Sequence, residues 1–181
     1  SIDSLPKIIK NLKLNSPLIC SDPGLSEVGM TNKIVDLISN EVSVSLYEET
    51  PANPNEKAVS DALSLYRSGE CDSVIGFGGG SSMDLAKAVA LMANHPGNVS
   101  DYSVNEGGIK KINETVPVIA IPTTSGTGSE VSSGSVIIMN DGRKLLLISE
   151  FLRPKAAICD PELTLGLPPL ITAGAGMDAL T

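Results

Sequence analysis

Four glycines within five residues, Gly76, Gly78, Gly79 and Gly80, followed by Ser81 and Ser82, constrain this chain more than any other stretch. Just before them, Ser73-Val74-Ile75 is a short, partly β-branched apolar run, the pattern of a buried strand. Just after them, Leu85, Ala86, Val89, Ala90 and Met92 recur at helical spacing around Lys87, which predicts an amphipathic helix. Glycine lacks a Cβ, so a ligand can approach its backbone closely. Ser81 or Ser82 is placed to cap the helix, whose first turn offers free N–H groups and the positive end of the dipole. Strand, glycine turn and helix start together make an anion site, most often for a phosphate. Neither common nucleotide motif is complete: Ser81 stands where G-x-G-x-x-G needs its third glycine, and no Gly-Lys-Ser/Thr closes a P-loop. A tight βα turn that holds no ligand fits the same residues.

The rest of the chain alternates strand and helix patterns around this turn. Pro17 to Cys20 predicts a core strand ending at Ser21-Asp22-Pro23-Gly24, which carries turn chemistry. A helix is expected from about Leu25 to Ile38 with Val28, Ile34, Val35 and Ile38 inward, then a strand from Val42 to Tyr47. The polar loop Pro51-Ala52-Asn53-Pro54 leads to a helix capped by Asn55 that buries Ala58, Val59, Ala62, Leu63 and Tyr66. Val116 to Ile121 reads as a strand, and the loop Pro122 to Glu130 after it is rich in hydroxyls and glycine. That loop suits a phosphate or a ribose, and equally a solvated turn. Ser135 to Met139 and Lys144 to Ile148 predict a hairpin around Asp141-Gly142, and Ala156 to Cys159 a last buried strand. Pro168 to Thr181 begins a helix in which Gly174, Gly176 and Asp178 are odd choices for a plain helical face. Such alternation predicts an α/β fold, a parallel sheet covered on both faces, with a ligand crevice at the carboxyl ends of its strands.

Length and charge narrow the function classes. With 181 residues the chain can build one sizeable domain. A formal net charge of −8 argues against a nucleic-acid surface, and 3% aromatics without tryptophan leave few base-stacking platforms. No apolar run reaches the length of a membrane span, and Ser1 to Lys10 lacks a signal-peptide layout. Cys20, Cys71 and Cys159 have no metal-type spacing and each adjoins an expected strand, so all three read as small buried thiols in a reducing, cytoplasmic setting.

Four ordered segments, GGGSSMDLAK (78–87), VPVIAIPTTSGTGSEV (116–131), RPKAAICDPELT (153–164) and ITAGAGMDALT (171–181), resemble the iron-containing, or group III, alcohol dehydrogenases. The resemblance implies a Rossmann-like dinucleotide-binding α/β domain over residues 1–167 and, from 168 to 181, the start of a helical metal and substrate domain whose remainder is absent. It implies that Gly79, Gly80 and Ser81 hold the pyrophosphate of NAD. Asp22 matches the acid that accepts from the adenine ribose, which favours NAD over NADP. Asn53, Thr123, Thr124 and Thr127 match further cofactor contacts, as do Lys144 and Leu163, while Asp84 and Lys87 match residues near the nicotinamide end. Asp178 matches a ligand of a divalent metal, iron or zinc, whose next ligand would be a histidine one residue beyond Thr181. His95 matches no ligand position and is expected at the surface. No catalytic residue is assigned in this chain, which is expected to be inactive alone. The implied reaction is metal-assisted, NAD-dependent hydride transfer between a small alcohol and its aldehyde or ketone, in a homo-oligomer without nucleic-acid or membrane partners. Alternatives are a glycerol dehydrogenase-like polyol oxidoreductase, a dehydroquinate synthase-type enzyme, or a nucleotide-binding module without chemistry.

Overall fold

The computed structural model describes residues 1–180. Its centre is a five-stranded, wholly parallel sheet. The strands are β1 (Pro17–Cys20), β2 (Ser45–Tyr47), β3 (Ser73–Gly78), β4 (Val118–Pro122) and, after a separate antiparallel hairpin of β5 (Gly134–Ile138) and β6 (Lys144–Ile148), β7 (Ala156–Ala157). Their spatial order is β2-β1-β3-β4-β7. β1, β3 and β4 are buried at every position, which is why they read as continuous apolar runs.

Successive residues of these strands feed opposite layers. Leu18, Val74 and Val118 pack under α4 (Glu56–Ser68) and α5 (Gly80–Asn94). Ile19, Ile75 and Ile119 pack under α1 (Leu5–Leu12) and α3 (Met30–Ile38). Such a period of two places one helical layer on each face. Asn55 caps α4 by accepting from the Ala58 N–H, and the five predicted residues of that helix are buried.

Several elements depart from the sequence expectations. The single helix expected over 25–38 is two, α2 (Pro23–Glu27) and α3, because Gly29 takes φ +74° between them. The break turns Val28 outward, 68% exposed, rather than into the core. β2 omits Val42 to Val44, β4 starts two residues later than expected, and β7 keeps only two residues, leaving Cys159 exposed rather than buried. Cys20 and Cys71 are buried thiols, and burial pushes the Cys20 thiol well above its ordinary pKa. α1 had no counterpart in the sequence reading. α5 is not amphipathic: it lies between the sheet, α4 and β5, and is buried from Ser82 to Met92 except at Asp84. His95 is also buried: its Nδ1 bonds the Leu91 carbonyl at 2.8 Å and its Nε2 accepts from the Asn113 N–H at 2.9 Å. The last helix, α6, spans Pro169–Asp178, and Thr181 lies outside the described residues. Among the described residues no helix is long and apolar enough to cross a membrane.

Candidate functional site

β1 and β3 are neighbours whose following chain segments leave in opposite directions, β1 towards β2 and β3 towards β4. Open parallel sheets bind ligands in the crevice that forms at such a switch point. At the end of β1 stands Asp22, and at the end of β3 the turn from Gly78 into α5. Asp22 caps α2 with one carboxylate oxygen, accepting from the Leu25 N–H at 3.1 Å, and its other oxygen points towards Gly78. Gly78 has φ +145°, and a Cβ there would lie 2.5 Å from Ser82 Oγ and 3.0 Å from Asp22 Oδ2. Only glycine brings the chain over this corner without steric conflict.

The start of α5 differs from the expected capped helix. Gly79 is the N-cap, no side chain among the described residues accepts from the first turn, and Ser81 Oγ instead donates to the Ala52 carbonyl at 2.5 Å. The first-turn N–H groups are therefore left for another acceptor, at the positive end of the longest helix. Ser82 Oγ, Thr50 Oγ1 and Thr124 Oγ1 are buried beside this corner without a protein partner. Buried polar atoms are normally satisfied, so this concentration of unpaired hydroxyls marks a place where something else bonds.

Two clefts flank the α5 start and share Ser81. The larger, about 690 Å³, is walled by Asp22, Gly79, Thr123, Thr124 and Leu163, with apolar Leu25, Met30 and Leu167. The smaller, about 470 Å³, is walled by Asn53, Gly80, Asp84, Thr127 and Lys144, with the β-hairpin and Asp178 at the end of α6. Every residue that the sequence assigned to a cofactor or a metal lines one cleft or the other. Lys87 lines neither: it is 0% exposed, beneath the smaller cleft. The hairpin residues Val136, Ile138 and Leu146 complete that cleft and were missed, because nothing local to β5 and β6 points to α5. The Asp84 carboxylate is engaged by the protein itself, accepting from Ser129 Oγ at 2.6 Å and the Val136 N–H at 3.0 Å. Among the described residues no three His, Cys, Asp or Glu side chains cluster as a metal site would require.

A parallel sheet in this order, with a glycine turn and an uncapped helix start at its switch point, defines a doubly wound α/β domain of the nucleotide-binding class. The chain belongs to the iron-containing alcohol dehydrogenase family, whose family model matches residues 1–161. It is 44% identical over 181 residues to the 4-hydroxybutyrate dehydrogenase of Cupriavidus necator, covering 99% of this chain and 47% of that one. Crystallographic 1,3-propanediol oxidoreductase superposes with a TM-score of 0.93 at 31% identity, over 99% of this chain and 47% of its own. Sulfoacetaldehyde reductase from Bifidobacterium kashiwanohense, solved in complex with NAD+, gives 0.88 at 32% identity, over 98% and 46%. The chain thus spans about half the length of the relatives it matches.

Proposed function

We propose that this chain is the NAD-binding part of an alcohol dehydrogenase, with residues 1–167 as the cofactor unit and 168–181 as the start of a helical domain. The observation that carries the reading is the uncapped start of α5, set between two clefts and ringed by unpaired hydroxyls. The N–H groups of its first turn suit a pyrophosphate. The larger cleft suits the adenosine end: Asp22 accepts from ribose hydroxyls, and its negative charge repels a 2′-phosphate. Apolar Leu25, Met30 and Leu163 supply a slot for a flat base. The smaller cleft then takes the nicotinamide riboside, held by Asn53, Thr127 and Lys144. NAD bound there supplies the acceptor and donor of a hydride. Around it, the hairpin walls off one side of the ring and so limits the approach of water.

The three relatives named above are a hydroxybutyrate dehydrogenase, a propanediol oxidoreductase and a sulfoacetaldehyde reductase, which supports an alcohol and its carbonyl partner as the substrate pair. A divalent metal belongs to the same proposal for the intact enzyme, with Asp178 as one ligand. The described residues do not form a metal site by themselves. Calorimetry tests the cofactor reading: NAD should bind and NADP should bind more weakly, by about tenfold or more for one well-placed charge interaction. In Asp22→Ala the preference should shrink. No heat with NAD, or equal affinities for both cofactors in the unaltered chain, would count against it.

A further inference from the structure

Lys87 is a buried cation for which the cofactor reading has no direct use. Its ammonium donates to Ser129 Oγ at 3.0 Å, Ser132 Oγ at 2.9 Å and the Gly134 carbonyl at 2.8 Å, so all three protons have acceptors. Asp84 Oδ1 lies 3.7 Å away, one helical turn back on α5. Ser129 joins the two charges, accepting from Lys87 while donating to Asp84 at 2.6 Å. The same aspartate accepts from the Val136 N–H with its side chain and from Ser135 Oγ with its carbonyl, at 3.0 and 2.8 Å. Removing an ammonium from water is costly, and burial accordingly lowers the Lys87 pKa, an effect opposed by Asp84.

This arrangement holds down one continuous segment, from Ser129 to Val136. That segment walls the smaller cleft and contributes nothing to the larger one. Just ahead of it, Thr127 packs over the glycine turn, its side chain about 3.4 Å from where a Gly80 Cβ would stand. We propose that Lys87 is a positioning residue: from beneath the smaller cleft it fixes residues 129–136 against α5, and so shapes the nicotinamide side of the site without touching a ligand. The inference rests on the NAD reading for its ligand consequence, but not for its mechanical one.

Lys87→Met keeps the length of the stem and removes the charge. Hydrogen exchange, without any ligand, should show faster exchange at the Val136 amide and over 129–136 in this variant. NAD affinity should fall about tenfold, the scale of one lost charged hydrogen bond, while affinity for ADP, which needs only the larger cleft, changes less than about twofold. A general loss of folding would lower both affinities together. Parallel losses, an unchanged NAD affinity, or unchanged exchange in the segment would overturn the inference. If Lys87→Met does not fold, Ser132→Ala, at an exposed position, removes one of the three acceptors; it should also speed exchange, and no change there would equally overturn the strut. Failure of the unaltered chain to bind NAD would defeat the cofactor reading, while the exchange result would still decide the strut.

Discussion

Gly78 shows how much of the site one missing methyl group decides. Its φ of +145° is rarely adopted by residues with a side chain, and an added Cβ would meet Ser82 Oγ and Asp22 Oδ2 together. Gly78→Ala should therefore cost about 1–3 kcal/mol of stability, the scale of a strained backbone residue, and push the α5 start away from Asp22. Urea unfolding measures the first effect and NAD calorimetry the second. Gly174→Ala is the contrasting case. Gly174 lies in α6 with nothing within 4 Å of an added Cβ, so alanine should stabilise that helix by up to about 1 kcal/mol. Equal responses at the two positions would show that the corner is not sterically determined. Lys87 illustrates the opposite kind of residue, whose effect comes from what it ties together; its partners lie 42 to 47 residues away along the chain.

Between elements, Asp160 is the clearest single clamp. One oxygen accepts from the Ile2 N–H at 2.7 Å and the other from the Glu162 N–H at 3.1 Å, joining the first turn of the chain to the segment that carries Leu163 into the larger cleft. Those two amides hold the Asp160 carboxyl below the usual carboxylate range. A depressed folded-state pKa adds stability that is present above the unfolded value of about 3.9 and is lost as pH falls through the lower folded value. Asp160→Asn should therefore melt lower than the unaltered chain at pH 6. The gap should close as pH falls below the unfolded value and through the lower folded one, where the native side chain becomes neutral. A gap independent of pH would show that the charge plays no part. At this scale the sequence was a good guide wherever burial is two-sided or a cap is local: β1, β3, β4 and the Asn55 cap were all legible. It misled where tertiary packing decides. α5 is covered on nearly every side, so its apolar periodicity did not reveal which face meets water. Gly29 divided a helix whose apolar spacing ran straight through it, and β7 ended before Cys159 for want of a longer partner register. The site residues came from the family resemblance: Asp22, Gly79, Gly80 and Thr123 follow the parallel strands closely, whereas Asp84 lies inside α5, Lys144 opens β6 and Asp178 ends α6, where no local pattern marks a site. The Lys87 contacts and the hairpin wall were not legible, since they exist only once β5 lies against α5.

For the whole molecule, the balance between charge and apolar surface sets how it associates. Leu165, Leu170 and Leu180 are each more than 80% exposed, and Met177 and Ile171 about half exposed, all on or beside α6. Isolated apolar side chains on a surface are ordinary, but five on one short segment expose much apolar area in one region, and large exposed apolar areas mark interfaces. The area is continuous with the rim of the larger cleft, where Leu167 and Ile171 stand. In the reading proposed above this face meets the rest of the helical domain; for the 181-residue chain by itself we predict pairing with a second copy through that face. Against pairing works the net charge of −8, whose repulsion between copies is long-ranged at low salt. Raising the ionic strength from about 0.01 M to 0.5 M screens that repulsion and leaves hydrophobic burial intact, so the dimer fraction should rise with salt. Multi-angle light scattering across that range measures it. Leu170→Ser with Met177→Ser, two exposed positions on α6, should return the chain to a monomer without lowering its melting temperature by more than a few degrees. A monodisperse monomer at every salt concentration, or a dimer that the double substitution leaves intact, would refute pairing through α6.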